Sequence, residues 1–282
     1  MTSHQYIIEA NRSWFRIPWG EIAEYRDLLW LLVRRDFVAK YKQTILGPAW
    51  FFIQPLLMSV MFTVIFARVA SIPTDEIPPM LFYLCGMLAW QYFAQCLKTT
   101  SSTFVSNMNL FGKVYFPRLI VPLAVVISNM LAFFIQLATF IGFWIYFKYF
   151  TAAGSMIHLN VGALLLPLLL LQTAALGLGV GLWMSALTAK FRDFVHLSDF
   201  LTQLWMYATP VVYPLSIVPG KWRWVSILNP MSSVVECYRH ALLGSGVVVG
   251  SYVLVSAVIT VLLLFSGILL FNKAERTFID TV

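Results

Sequence analysis

Charge is the scarcest thing in this chain. Only 11% of the 282 residues are Asp, Glu, Lys or Arg, against 60% hydrophobic and a mean hydropathy of +0.80. A soluble domain carries about twice that charged fraction, so a soluble fold is excluded and an integral membrane protein is expected. Cysteine is also rare. Cys85, Cys96 and Cys237 stand far apart, with no CxxC pairing and no nearby histidine cluster. That excludes a disulfide framework and a zinc-type site and leaves three free thiols. The sequence has no GxxxxGK[ST] phosphate loop, no HExxH and no GxSxG, so it offers no ATPase, metalloprotease or serine-hydrolase machinery of its own. The first sixteen residues lack the basic start, apolar middle and small-residue cleavage site of a signal peptide, so the N-terminus is expected to be mature chain.

Long apolar runs are what the sequence has in quantity. Taking about 20 residues as the length that crosses a hydrocarbon core of about 30 Å, six spans are expected. They are Pro48 to Phe66, Met80 to Leu97, Leu119 to Phe147, Leu159 to Leu187, Val195 to Ile217 and Gly250 to Phe271. The third and fourth exceed the minimum, which predicts tilt or extension beyond the core. With the N-terminus inside, 14 of the 19 Lys and Arg residues fall on the inner side and 5 on the outer. This follows the positive-inside rule, and an even span count puts both termini in the cytoplasm. No Asp, Glu, Lys or Arg lies near the middle of any span. An ion-driven carrier needs such a residue, and matched broken helices in the two halves are also missing. Uphill transport by this chain would therefore draw its energy from a partner.

Ahead of the first span, Pro18 to Lys42 repeats apolar residues at helical spacing (Ile22, Tyr25, Leu28, Leu29, Leu32, Val33, Phe37) opposite Glu21, Glu24, Asp27, Arg34, Arg35 and Lys40. This is an amphipathic surface helix, too charged to span. Its basic end, Arg34, Arg35, Lys40 and Lys42, suits an anionic inner leaflet. A soluble helix packed on another domain is the alternative.

Between spans two and three, Asn107 to Pro122 (NMNLFGKVYFPRLIVP) carries only positive charge, Lys113 and Arg118, among Leu110, Phe111, Val114, Tyr115 and Phe116. The spacing of Leu110, Phe111 and Val114 predicts one short helix with an apolar face beside Lys113. Pro117 ends it, because proline has no N–H to donate. This basic, greasy knuckle is either a contact for another protein or an interfacial anchor among headgroups.

Between spans five and six, Tyr213 to Gly246 is too polar to cross and too apolar for an ordinary loop. Pro214, Pro219, Asn229, Pro230 and Gly244 divide it into two pieces. The second piece sets Val234, Val235, Tyr238 and Leu242 against Glu236, Arg239 and His240. A re-entrant pair of short helices is expected, with those three polar residues on one face toward water or a dimer mate; a plain amphipathic outer helix is the alternative. Asp75 and Glu76 lie in a proline-bounded loop and read as solvated. His196 lies near Asp193 and Asp199, in capping or ion-pair range. Within LGLGVG, Ala175 and Gly179, like Gly177 and Gly181, are spaced for close helix packing. Aromatics recur on single faces of the first span (Phe52, Phe62, Phe66, with Ser59) and the third (Phe133, Phe140, Trp144, Phe147, with Gln136). Such faces suit the C–H surfaces of sugars or the lipid interface.

The ordered set RRDFVAKYKQTILGPAWFFIQP (Arg34 to Pro55), NLFGKVYFPR, KFRD (Lys190 to Asp193), TPVVYP (Thr209 to Pro214) and NPMSSVVECYR resembles type-2 ABC transporter permeases. Within them it is most similar to exporters of O-antigen, capsule or teichoic-acid chains. The resemblance covers nearly the whole chain. It implies an all-α integral membrane protein of six transmembrane helices, with an N-terminal amphipathic interface helix and short re-entrant helices between spans five and six. The single permease domain, 1–282, would divide into an interface region at 18–46, a membrane domain at 48–271 and a cytoplasmic tail at 272–282. It further implies a homodimer in the bacterial inner membrane, joined to two copies of a separate ATPase. That partner would bind ATP and magnesium, and this chain would hold no cofactor. Leu110, Phe111, Lys113, Val114, Tyr115 and Arg118 would then couple to the ATPase, and Tyr213, Glu236, Arg239 and His240 would belong to an outer gate. Phe62, Phe66, Trp90 and Tyr92 are the rings expected along the path. A same-fold permease for a small hydrophobic molecule or drug, and a membrane-bound transferase on lipid-linked substrates, are the competing functions. The transferase would need a carboxylate pair or a histidine at the membrane boundary.

Overall fold

The structure is a computed structural model that describes residues 19–39, 42, 47–114, 116–191 and 193–279. Every regular element among them is helical. In chain order these are α1 (Trp19–Glu24), α2 (Arg26–Ala39), α3 (Trp50–Phe62), α4 (Pro79–Ser101), α5 (Thr103–Ser106), α6 (Met108–Phe111), α7 (Ile120–Phe150), α8 (Leu166–Lys190), α9 (Phe194–Ala208), α10 (Arg223–Leu228), α11 (Pro230–Leu243) and α12 (Gly250–Ile279).

Among the described residues five segments are long and apolar enough to cross a membrane: Trp50–Val69, Pro79–Ser101, Ile120–Phe150, Val161–Lys190 and Gly250–Arg276. The first continues from α3 through wider π-type turns over Thr63–Val69. The expected fifth span, Val195 to Ile217, is not one long helix. α9 stops at Ala208 after 15 residues, because Pro210 can donate no N–H to extend it. Thr209 is already extended, with φ −101° and ψ 141°. α12 runs past the expected end of its span at Phe271, as far as Ile279.

α4 is the pillar. Proline at its first turn starts it without wasting a donor, and nearly every residue from Leu81 to Leu97 is buried. It touches α3, α7, α8, α9 and α11. Taking the Pro79 end as the top and the Ser101 end as the bottom, α4 is about 34 Å long at 1.5 Å per residue. The chain from α9 onward climbs beside it. Ser198 Oγ lies 3.2 Å from Ser101 Oγ, Asp199 pairs with Lys98 at 3.1 Å, and Trp205 packs on Phe93. Beyond α9, Ser216 Oγ donates to Asp75 Oδ1 at 2.8 Å, above the start of α4. Residues 198 to 216 thus cover the full height of α4, half as helix and half as turns. Asp199 takes Lys98 as its partner, and Asp75 accepts a hydrogen bond.

α8 is gripped on two sides by its glycines. A Cβ on Gly177 or Gly181 would meet Cys96 or Thr100 of α4 at 2.8 and 2.6 Å, and one on Gly179 would meet the Leu264 backbone of α12 at 2.7 Å. Gly267 of α12 answers Gly179 from across that contact. This is the close packing expected of small residues in membrane helices.

Candidate functional site

At the bottom, the segment after α4 folds into two single turns, α5 and α6, the second of them within the stretch where the spacing predicts a short helix. Asn107 makes the break, its Nδ2 donating to Thr103 O at 3.1 Å. Phe111 turns inward and is only 7% exposed. Its ring meets Phe104 and Phe116, each 5.9 Å away, and Phe104 stacks on Phe271 of α12 at 4.7 Å. The Arg118 guanidinium lies 5.1 Å over the Phe111 ring, donates from Nη1 to Glu275 O at 3.2 Å, and faces Glu275 Oε1 at 3.8 Å. Burial pushes the Arg118 pKa below its ordinary value, opposed by the Glu275 carboxylate. Lys113 and Val114 point outward, Val114 at 54% exposed, and Leu110 is half-buried. The knuckle is therefore an exposed tip on an aromatic base. Tyr115 lies outside the described residues.

On α2, Leu32 and Val33 are buried and the helix packs along α7. Arg34 and Lys42 are exposed, and Arg35 pairs with Asp36 at 2.8 Å. Arg35 also reaches Asn107 Oδ1 at 3.5 Å, which ties this helix to the knuckle. Lys40 lies outside the described residues, as does Arg192 of the KFRD turn.

The four rings expected along a path do not form one group. Phe62 packs on Phe66 and Tyr83, Trp90 on Phe93, and Tyr92 on Phe133. Tyr92 Oη donates to Val126 O at 3.3 Å. Phe62, Trp90 and Tyr92 are buried inside the chain, and Phe66 keeps part of its surface.

At the top, α10 and α11 form a hairpin whose turn is built on Asn229. Its side chain accepts from Met231 N and Trp205 Nε1, and donates to Thr209 Oγ1 and Ala208 O. Pro230 O accepts from Ser256 Oγ at 2.8 Å. Ser256 is about 9 Å along α12 from its start, so the turn sits well below the top. α11 climbs back out and ends on Gly244, left-handed at φ 75°, a conformation glycine adopts without a Cβ penalty. There Leu242 O accepts from Trp144 Nε1 at 2.9 Å, and Leu243 O from His158 N at 3.3 Å.

Glu236, Arg239 and His240 were expected on one face toward water or a dimer mate, and the structure instead buries the first two inside the chain. Glu236 and Arg239 are each 1% exposed and paired at 2.8 Å. Arg239 Nη2 donates to Val211 O at 2.8 Å, Nη1 reaches Tyr213 O at 3.5 Å, and the guanidinium lies 3.7 Å over the Phe82 ring. Glu236 Oε2 accepts from Val247 N at 2.8 Å. The pair joins α11 to α4, to the Thr209 to Pro214 stretch and to the loop before α12. The reason is packing: Val234, Val235, Tyr238, Ala241, Leu242 and Leu243 are buried too, and the partly exposed side of α11 is the one that carries Ser233, Cys237 and His240, away from the pair. His240 turns elsewhere, to Asn160 at 2.8 Å, and Tyr213 is half-buried. Spacing alone missed this pair and the Arg118–Glu275 contact. The only signal was an E-x-x-R set in apolar neighbours.

Among the described residues no group of three or more His, Cys, Asp or Glu comes together to hold a metal ion. The candidate site is made of an exposed basic tip below, a charge-pinned hairpin above, and helices between them.

Comparison with known proteins gives this arrangement a family. The chain is similar to the O-antigen export system permease protein RfbA of Klebsiella pneumoniae, 25% identical over 255 residues that cover 90% of this chain and 94% of that one. It is 27% identical over 265 residues to the protein of the same name from Myxococcus xanthus, covering 93% and 98%. With the capsule polysaccharide export inner-membrane protein CtrC of Neisseria meningitidis serogroup B it shares 20% identity over 258 residues, covering 92% and 95%. The family described as ABC-2 type transporter matches residues 27–243, from α2 to the end of the hairpin, and the chain belongs to that family.

Proposed function

We propose that this chain is the transmembrane subunit of an ATP-driven exporter that moves a lipid-linked polysaccharide, of the O-antigen kind, across the bacterial inner membrane. The observation that carries the reading is likeness along nine-tenths of the chain to permeases named for O-antigen and capsule export. In this reading the top is the outer side and both termini are cytoplasmic. Residues 194–217 make the sixth crossing, part helix and part turn, and the hairpin of α10 and α11 re-enters from outside. Two copies assemble side by side, since α3 and the π-type turns after it leave Leu57, Val60, Met61, Val64 and Ile65 uncovered, and two ATPase copies dock below. Those partners bind ATP and magnesium. Leu110, Lys113 and Val114 contact the ATPase, while Phe111 and Arg118 brace them from behind. α2, with Arg34, Arg35 and Lys42, lies at the inner boundary. Phe62, Phe66, Trp90 and Tyr92 reach the glycan only when packing around α4 opens, and the hairpin gates the exit.

The test is genetic and then biochemical. Removing this chain should empty the surface of the polysaccharide while its lipid-linked precursor accumulates inside. In proteoliposomes, glycan transport should need this chain, the ATPase and ATP together, and this chain alone should hydrolyse none. Normal surface polysaccharide in the deletion strain would refute the reading.

A further inference from the structure

The knuckle is held from a distant part of the chain. Its base ring, Phe104, stacks on Phe271 at 4.7 Å, and its cation Arg118 is bound to the carboxylate and the backbone oxygen of Glu275. Both partners belong to the last turns of α12, which continues helically beyond the apolar run to Ile279. The same helix reaches the hairpin at its other end, where Ser256 Oγ donates to Pro230 O and accepts from Gln172 Nε2 of α8. α5 also lies against α8, which is itself locked to α12 through Gly179 and Gly267. A stacked ring and a charged hydrogen bond give a two-point attachment, and two points pass on rotation as well as translation.

We infer that the lower end of α12, through Phe271 and Glu275, is a positioning element that seats the knuckle and carries its displacement into the last transmembrane helix, and through Ser256 to the hairpin. This rests on the reading of the knuckle as the ATPase contact. Neither residue touches the ATPase or the glycan in this scheme; both act through Phe104 and Arg118.

The experiment measures glycan exported per ATP hydrolysed by the reconstituted complex, beside the yield of a cross-link from Lys113→Cys to the ATPase. Phe271→Ala and Glu275→Lys should leave the cross-link and ATP turnover at parent levels and lower export per ATP about 5-fold or more, the smallest effect expected of a genuine coupling. Phe271→Tyr, which keeps the ring, should restore it. Glu275 is partly exposed, so its variant folds even if Phe271→Ala does not. Export per ATP unchanged in Glu275→Lys and in Phe271→Ala, or in Phe271→Leu should the alanine variant not fold, overturns the inference. So does a fall in export that tracks loss of the cross-link, since that is support of the knuckle and nothing more. If the parent Lys113→Cys protein never cross-links, the reading of the knuckle itself fails, a different result from the other two.

Discussion

Neutralising one member of the Glu236–Arg239 pair should hurt more than removing both. Glu236→Gln leaves a guanidinium at 1% exposure with neutral partners alone: the new amide oxygen, the carbonyls of Val211 and Tyr213 and the Phe82 ring. Arg239→Met leaves a buried carboxylate with the single N–H of Val247. Each single change strands a charge out of water, at a cost of about 3–5 kcal/mol. In a domain of this size that is of order 10 °C in melting temperature. The double variant Glu236→Gln/Arg239→Met buries no charge and loses only hydrogen bonds, about 1–2 kcal/mol in all, with the methionine filling most of the arginine's volume. The measurement is the thermal unfolding midpoint of the four proteins in one detergent, with size-exclusion profiles to confirm that each is folded beforehand. The double should melt above either single. If it melts below both, with costs that add, the two groups act independently. If both singles melt within about 1 kcal/mol of the parent, the pair behaves as a surface salt bridge, and the pinning of the hairpin is wrong.

Asn229→Ala removes a helix cap and leaves Trp205 Nε1 without its acceptor. It should destabilise by about 1–3 kcal/mol, and Asn229→Asp, which keeps both acceptors, should fall between it and the parent in the same melting assay. Gly179→Val drives a branched side chain into the Leu264 backbone and should cost at least about 1–3 kcal/mol, read as loss of folded yield. Gly142→Ala, where a Cβ meets nothing within 4 Å, should gain about 0.5–1 kcal/mol from helix propensity. Lys113→Glu with Val114→Asp should weaken ATPase co-purification about tenfold, equivalent to about 1.4 kcal/mol, while the permease stays monodisperse; unchanged co-purification would remove the tip from the interface.

How much of this was legible in the sequence depends on how far apart the deciding residues lie. The long apolar helices could be read within a few residues, because burial in hydrocarbon needs a contiguous run: Met80 to Leu97 was expected and Pro79–Ser101 is found. The fifth span misled because Val211, Val212, Leu215 and Ile217 raise the hydropathy of a stretch whose backbone Pro210 and Pro214 prevent from being helical. The glycines of α8 were readable, since spacing alone says which faces lack side chains. A short helix after Asn107 was expected and Met108–Phe111 is found, but the direction of Phe111 is set by Phe104 and by Phe271 some 160 residues later. Periodicity cannot report such a contact. Glu236 and Arg239 were sent toward water or a dimer mate by the rule that charges avoid the interior, and that rule fails where two charges satisfy each other and the Val211 carbonyl and Val247 N–H complete the set.

Backbone against backbone leaves nothing to bend. Where Gly179 meets Gly267 and Leu264, and Gly177 and Gly181 meet Cys96 and Thr100, no long side chain stands between the helices to change rotamer and absorb a shift. α4, α8 and α12 are in this sense one stiff plank, and close-packed interiors transmit strain. Whatever flexes during a transport cycle must lie around that plank: α3 with its wide π turns, residues 209–217, where α-helix gives way to turns and one short 3-10 turn, and α2 along α7. The hinge of the molecule is set by where the glycines are absent.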